Sequence, residues 1–244
     1  MLTRLANPTV FMRLSGALLP WLSGMAAVLL AVGLAMSFRA PPDYQQGETV
    51  RIMFLHVPAA WLALFFYVVM AASAVGTLVW RHPLADVSQK AAAPIGAAFT
   101  LVCLVTGSLW GKPMWGTYWV WDARLTSVLV LFLIYCGILS LWRTIEEPNQ
   151  AGRAVAILTL VGAVNVPIVK FSVDWWNTLH QPASVLRAGG PAIDPSMLHP
   201  LLAMAAAFTV LGLALHVAGM RTEILRRRVR TATILEAERL DATA

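Results

Sequence analysis

A tryptophan-rich segment and nearby histidines are the residues of this chain whose types and spacing suggest ligand chemistry. The segment WGKPMWGTYWVWDAR runs from Trp110 to Arg124 and contains four tryptophans, a tyrosine and the carboxylate of Asp122. Clustered flat rings beside a carboxylate would present a platform for a large planar hydrophobic ligand. Neutral imidazole is a common ligand of haem iron, so histidines close to such a platform are candidate axial ligands.

The conformation of the aromatic segment decides which rings share a face. A helix would align Trp115, Tyr118, Trp119 and Asp122 at spacings of three and four residues. An extended strand would instead align Trp115, Trp119 and Trp121 by its period of two. A third interpretation is an aromatic belt, because tryptophan and tyrosine favour the headgroup level of a membrane. These rings lie within twelve consecutive residues, a closer cluster than a belt requires.

Two of the histidines stand in motifs of their own. His56 opens the sequence HVPAAW, and His180 follows a second aromatic cluster in DWWNTLHQ. His56 falls at the start of the second apolar run, and His180 falls in the connection between the last two apolar runs. The remaining histidines are His82, His199 and His216.

The composition shows what kind of protein must position these residues. Of 244 residues, 59% are hydrophobic and 12% are charged, against roughly 25% charged in soluble domains. A soluble fold of this size could not cover so much apolar surface, and disorder requires low hydrophobicity. The two cysteines lie inside apolar runs, which excludes a disulfide framework. The chain is therefore expected to be an all-α integral membrane protein.

Long uncharged stretches predict a single polytopic membrane domain with six transmembrane helices. Twelve of the 18 lysines and arginines fall on the side that holds both termini, which the positive-inside rule makes cytoplasmic. The outward connections are then 38–54, 111–124 and 173–198, and residues 220–244 form a cytoplasmic tail. Asn165 and Pro167 predict a kink in span five, and Lys170 is expected to extend towards the interface. The predicted spans are about 17–37, 55–79, 92–110, 125–143, 154–172 and 199–219.

The motifs of the outward side resemble those of a known family. WGTYWVWD at 115–122 resembles the WGxxWxWD signature of the haem-handling membrane protein superfamily. HVPAAW and WWNTLHQ resemble the flanking histidine motifs of the cytochrome c maturation protein C (CcmC) family. Length and span number match as well, so the resemblance covers nearly the whole chain. Tyr118 departs from it, because many members have tryptophan there.

The resemblance assigns a role to each motif residue. By motif position, His56 and His180 are the axial ligands of haem b at the outer face. Arg51 and Arg124 are suited to bind the ionised haem propionates, with Lys112 as a third candidate. No residue is assigned a catalytic role. The platform for the porphyrin would comprise Trp115, Gly116, Tyr118, Trp119, Trp121 and Asp122.

The resemblance also implies a function in c-type cytochrome biogenesis. The family binds haem at the periplasmic face of the bacterial inner membrane and delivers it to a periplasmic haem chaperone, CcmE. Its other partners are an ABC transporter ATPase and membrane subunit, CcmA and CcmB, a small single-span protein, CcmD, and membrane lipid. The chain would thus be a haem-handling and transfer protein rather than an enzyme, able to assist covalent haem attachment to the chaperone. No nucleic-acid partner is expected.

Two other functions compete with haem delivery. A b-haem subunit of a quinol-linked oxidoreductase would usually carry its histidines at membrane depth, whereas His56 and His180 are predicted near the outer surface. A small-solute transporter would carry ionisable groups at the span centres, which lack them here. The basic sequence RRRVR at 226–230 fits a topology signal, and also a docking site for the ATPase or anionic lipid. The chain lacks a GxxxxGK[ST] motif for ATP and a CxxCH motif for covalent haem.

Overall fold

The computed structural model describes residues 7–181, 184–185 and 187–242, and their regular structure is almost entirely helical. The described residues form seven α-helices, and a 3₁₀ helix, Glu48–Ile52, precedes the second of them. The α-helices are α1 (Pro8–Arg39), α2 (Met53–Val79), α3 (Ala85–Trp115), α4 (Ala123–Thr144), α5 (Pro148–Gly162), α6 (Asn165–Trp175) and α7 (Pro195–Asp241).

Within the described residues, six helical passes are long and apolar enough to cross a membrane, which confirms the predicted fold class. Five of these six passes are continuous. The exception is the fifth pass along the chain, which is divided into α5 and α6. Every predicted span is shorter than the helical pass that contains it. The largest differences are at α3, which continues to Trp115, and at α7, which continues through the predicted tail to Asp241. An uncharged run marks the lipid-crossing part of a helix, while the helix itself ends where its backbone is capped.

Side-chain caps explain where four of these helices begin. Asn7, Asp122, Glu147 and Asp194 each accept a hydrogen bond from a backbone N–H in the first turn that follows. Such caps satisfy N–H groups that have no partner inside the helix. Asp122 accepts from the Leu125 N–H at 2.8 Å, so one oxygen of this carboxylate fixes the start of α4.

Helix α2 is the centre of the bundle and packs against α3, α5 and α7. Its fully buried side chains include Phe54, Phe66 and Tyr67. The Tyr67 hydroxyl donates to the Thr159 carbonyl at 3.1 Å, and the Tyr135 hydroxyl donates to the Ala63 carbonyl at 2.8 Å. These bonds satisfy two buried hydroxyls and join α2 to α5 and α4, as an apolar surrounding requires.

The fifth pass is interrupted between Gly162 and Asn165. Pro167 lies in the first turn of α6, where a proline is tolerated. The Asn165 amide donates to the Ser127 carbonyl of α4 at 2.9 Å, so the side chain bonds across the bundle. The interruption creates a separate short helix, α6, beside the start of α4.

The two ends of the bundle differ in chemistry. At the terminal end, where α1 begins and α7 ends, buried Glu223 accepts from Lys90 and Arg227, both at 2.9 Å. Arg227 also pairs with Asp86 at 2.6 Å, which anchors the extension of α7 to the start of α3. The opposite end, called the loop end below, contains the 3₁₀ helix, residues 116–122, and residues 176–181, 184–185 and 187–194.

Candidate haem site

His56 lies in the second turn of α2 and is held by α3. Its Nδ1 is 3.1 Å from the Cys103 carbonyl oxygen and 3.1 Å from the Thr106 hydroxyl. A carbonyl oxygen can only accept, so Nδ1 carries the proton and Nε2 keeps a lone pair. A backbone carbonyl on the far nitrogen is the usual arrangement of a histidine that binds metal.

Gly107 makes this position of His56 possible. A Cβ atom at residue 107 would lie 2.9 Å from the His56 Cε1 atom, which is closer than two non-bonded carbon atoms normally approach each other. Trp110, one turn further along α3, packs edge-on against the same imidazole with ring centroids 5.7 Å apart. The α3 face therefore sets both the depth and the tilt of the ring.

His180 is held by the carboxylate that caps α4. Its Nδ1 is 3.2 Å from Asp122 Oδ2, while Asp122 Oδ1 accepts from the Leu125 N–H. Burial lowers the pKa of His180, and the hydrogen bond to Asp122 opposes that shift only in part. The ring is therefore neutral at neutral pH, with Nδ1 donating to the carboxylate and the Nε2 lone pair left to bind a metal.

His56 and His180 line one cavity of about 410 Å³ at the loop end, called the histidine cavity below. That volume lies within the usual range for small-molecule sites. The cavity is only partly enclosed. Its described wall is formed by residues of α2, α3, α4, α6 and α7, by Gln46, and by residues 179–181 and 184–185. Aliphatic side chains such as Val57, Leu179 and Leu201 supply an apolar lining.

The structure divides the predicted platform into three groups. Trp115 lines the histidine cavity and packs edge-on against His180, with ring centroids 5.0 Å apart. Gly116 ends α3 with a φ of 74°, and Asp122 positions His180, so these two residues shape the site through the backbone and a hydrogen bond. The described lining does not include the last group, which comprises Tyr118, Trp119 and Trp121.

Residues 116–122 form neither of the two conformations considered from the sequence, a helix or an extended strand. The chain leaves α3 at Gly116, bends through Tyr118, and reaches Asp122 in an extended conformation. Trp119 and Trp121 contact each other edge-on at 5.5 Å, and Trp121 is 74% exposed. One part of the motif therefore builds the cavity wall, and the other part presents aromatic rings on the surface.

The three predicted propionate ligands occupy different environments. Arg124 lines the cavity, donating from Nε to the Ser172 hydroxyl at 3.0 Å and from Nη2 to the Lys170 carbonyl at 3.3 Å. Arg51 is outside the described lining and pairs with Glu48 at 2.5 Å. Lys112 donates to the Gly116 carbonyl at 2.8 Å and lies over the Tyr118 ring. Arg124 is thus the predicted cation that the structure brings to the two histidines.

Several cavity residues lie outside the set predicted from the sequence. Trp110 and Met114 line the cavity from α3, and the Trp110 indole donates to the Gln46 side chain at 2.6 Å. Lys170 lines it from α6. The spacing of Gly107, Trp110 and Met114 along one helix face is a sequence signal for this wall, but only if α3 is extended beyond residue 110.

Comparison with known proteins identifies the family to which this arrangement belongs. Residues 1–235 match the family described as CcmC, heme exporter protein C. The chain belongs to the heme exporter protein C family. It is accordingly a multi-pass protein of the bacterial inner membrane, in agreement with its six apolar passes.

Individual relatives cover nearly the whole chain. Heme exporter protein C of Bradyrhizobium diazoefficiens is 64% identical over 236 residues, covering 97% of this chain and 90% of the relative. The Paracoccus denitrificans protein of the same name is 46% identical, covering 92% and 93%. The Escherichia coli K12 protein, also named heme exporter protein C, is 46% identical and covers 96% and 95%.

The divided aromatic motif predicts different effects for two tryptophans. Trp115→Ala should weaken haem retention about tenfold, because the lost ring contacts His180 and the cavity. Trp121→Ala removes an equally large ring that lies outside the described cavity lining. It should leave haem retention within a factor of about two of the unmodified protein. Haem content of the two purified variants, normalised to protein, provides the measurement. Equal losses in both variants would show that the exposed ring also binds the porphyrin.

Proposed function

We propose that this protein binds haem between His56 and His180 at the periplasmic face of the inner membrane. It then delivers that haem to a periplasmic haem chaperone for the biogenesis of c-type cytochromes. The observation that carries the proposal is the pair of imidazoles in one open cavity, each held through Nδ1. The family to which the chain belongs is described as a heme exporter, which agrees with haem as the cargo.

The donor set suits haem iron. Each Nδ1 has a hydrogen-bond acceptor, the Cys103 carbonyl for His56 and the Asp122 carboxylate for His180. Each ring therefore has the tautomer in which Nε2 can bind iron. The partners also orient the rings before haem arrives, which lowers the entropic cost of binding.

The remainder of the cavity matches the rest of the haem molecule. Trp115 and the aliphatic lining provide apolar contact for the porphyrin ring. In the part of the chain that the structure describes, the lining contains two cations, Arg124 and Lys170, and no carboxylate. A cavity with this charge favours an anionic ligand, and ionised haem carries two propionates.

Delivery requires that haem can leave as well as bind. The histidine cavity is only partly enclosed, so part of a bound porphyrin would stay accessible to a second protein. The exposed rings of Tyr118 and Trp121 lie on the segment that ends at Asp122, the residue that holds His180. A chaperone that contacts these rings could shift Asp122, and this would loosen His180 from the iron.

The orientation and partners follow the same proposal. The loop end faces the periplasm, and the arginine-rich terminal end faces the cytoplasm, as the charge distribution predicts. The chain works in an ABC-type haem export complex with CcmA-like, CcmB-like and CcmD-like proteins. In that complex its role is to hold and transfer haem b rather than to catalyse a reaction.

Recovery of the chaperone with this protein tests delivery directly. The tagged protein is purified from membranes of haem-replete cells and of cells depleted of haem, and the co-purifying chaperone is quantified. We expect recovery of the chaperone to fall at least about tenfold without haem, because the empty two-histidine site then holds no haem for the chaperone to bind. Equal recovery under both conditions would contradict haem as the bridge between the two proteins.

A further inference from the structure

The charges around the histidine cavity are unbalanced on one wall. Arg124 at the start of α4 and Lys170 on α6 both line the cavity, and no described lining residue is acidic. Asp122, the nearest carboxylate in sequence to Arg124, has its two oxygens occupied by the Leu125 N–H and by His180. Arg124 interacts electrostatically with Asp122 and Asp174, so the protein balances part of its charge. The exposed Lys170 ammonium forms no ion pair with another described residue, which leaves it able to bind an anionic ligand.

The α6 helix holds both cations in place. Arg124 donates to the Ser172 hydroxyl and to the carbonyl of Lys170 itself, so its guanidinium is tied to the backbone that carries the lysine. The Arg124 Nη1 group and the Lys170 ammonium make no hydrogen bond to another described residue. The interruption at residues 163–164 gives α6 the separate placement that brings Lys170 to this wall.

We infer that Lys170 is a specificity residue that binds one carboxylate of the ligand while Arg124 binds the other. The inference rests on the proposed function and names the feature of the cargo that this wall recognises, a porphyrin with two free carboxylates. Arginine offers a planar fork and lysine a compact point charge, and both suit a carboxylate at the edge of an apolar cavity. The carboxylate edge of the porphyrin would then face α4 and α6, with the two imidazoles above and below its centre.

Comparison of two porphyrins tests the role of Lys170. The probes are iron protoporphyrin IX and its dimethyl ester, which keeps the iron and the ring but has no free carboxylate. Each is added to the purified full-length protein and to the Lys170→Met variant, and its dissociation constant is measured by absorption. Lys170→Met should weaken binding of the free acid about tenfold, the usual effect of losing one charge-assisted hydrogen bond. It should leave binding of the dimethyl ester unchanged.

Two further variants separate charge from packing. Lys170→Arg keeps the positive charge and should bind the free acid within about threefold of the unmodified protein. Arg39→Met removes a cation from the end of α1, at the loop end but outside the described cavity lining, and should change neither probe.

The outcomes distinguish this inference from the proposed function. If Lys170→Met leaves binding of the free acid unchanged, or weakens both probes equally, Lys170 does not recognise a carboxylate and the inference is wrong. Either result would leave the two-histidine site intact. The proposed function itself fails if the unmodified protein binds neither probe. It also fails if a variant without His56 and His180 binds both probes as well as the unmodified protein does.

Discussion

Replacement of either His56 or His180 by alanine is expected to remove most bound haem from the purified protein. Loss of a partner that merely orients a metal ligand typically weakens metal binding by 10- to 100-fold, so loss of the ligand itself should exceed about 100-fold. Both rings line the same cavity, and each is already oriented by its Nδ1 partner. Haem content per protein after membrane extraction is the measurement, and added imidazole should restore part of it in each variant.

The control for this experiment is His82→Ala. His82 lies between α2 and α3 at the terminal end, where its Nδ1 accepts from the Leu84 N–H. The His82→Ala variant should retain the full haem content of the unmodified protein. Unchanged haem in both His56→Ala and His180→Ala would reject the ligand assignment. Loss of haem in only one of them would reduce the site to a single axial ligand.

The second large effect is expected from Asp122→Asn. Asparagine can still cap α4 by accepting from the Leu125 N–H, but its remaining amide group donates and cannot accept from His180 Nδ1. His180 would lose the partner that fixes its tautomer and angle. Haem affinity should therefore fall on the order of 10- to 100-fold, with little change in the thermal stability of the protein.

Asp194→Asn provides the matched control for this substitution. Asp194 caps α7 at the same end of the molecule, accepting from the Ser196 N–H at 2.9 Å, and has no described contact with a histidine. Haem affinity should remain unchanged in this variant. Comparable losses in the two variants would mean that capping at the loop end, rather than orientation of His180, governs haem binding.

The sequence predicts the membrane architecture well because its signal is local. Uncharged runs long enough to cross a bilayer identify six passes, and the six apolar passes of the structure confirm them. The kink region around Asn165 and Pro167 also follows from local chemistry, since proline lacks an N–H and a buried amide needs a partner. The ends of the helices were less predictable, because α3 and α7 continue past charged residues that leave the lipid.

The site was only partly predictable because its walls come from distant segments. Motif resemblance names His56, His180 and Trp115, which the structure brings to one cavity. It does not reveal that Asp122 works through His180, since that contact joins residues 58 positions apart. Lys170 was expected at the interface as an extended side chain, and only the placement of α6 beside α4 gives it a place in the cavity wall.

The spin state of ferric haem bound to the purified protein tests directly whether His56 and His180 both bind the iron. Electron paramagnetic resonance distinguishes low-spin iron with two nitrogen ligands from high-spin iron with one or none. If both histidines bind the iron, the unmodified protein should give a low-spin signal that turns high-spin in both His56→Ala and His180→Ala. A high-spin signal from the unmodified protein, or a low-spin signal that survives the loss of both histidines, would contradict it.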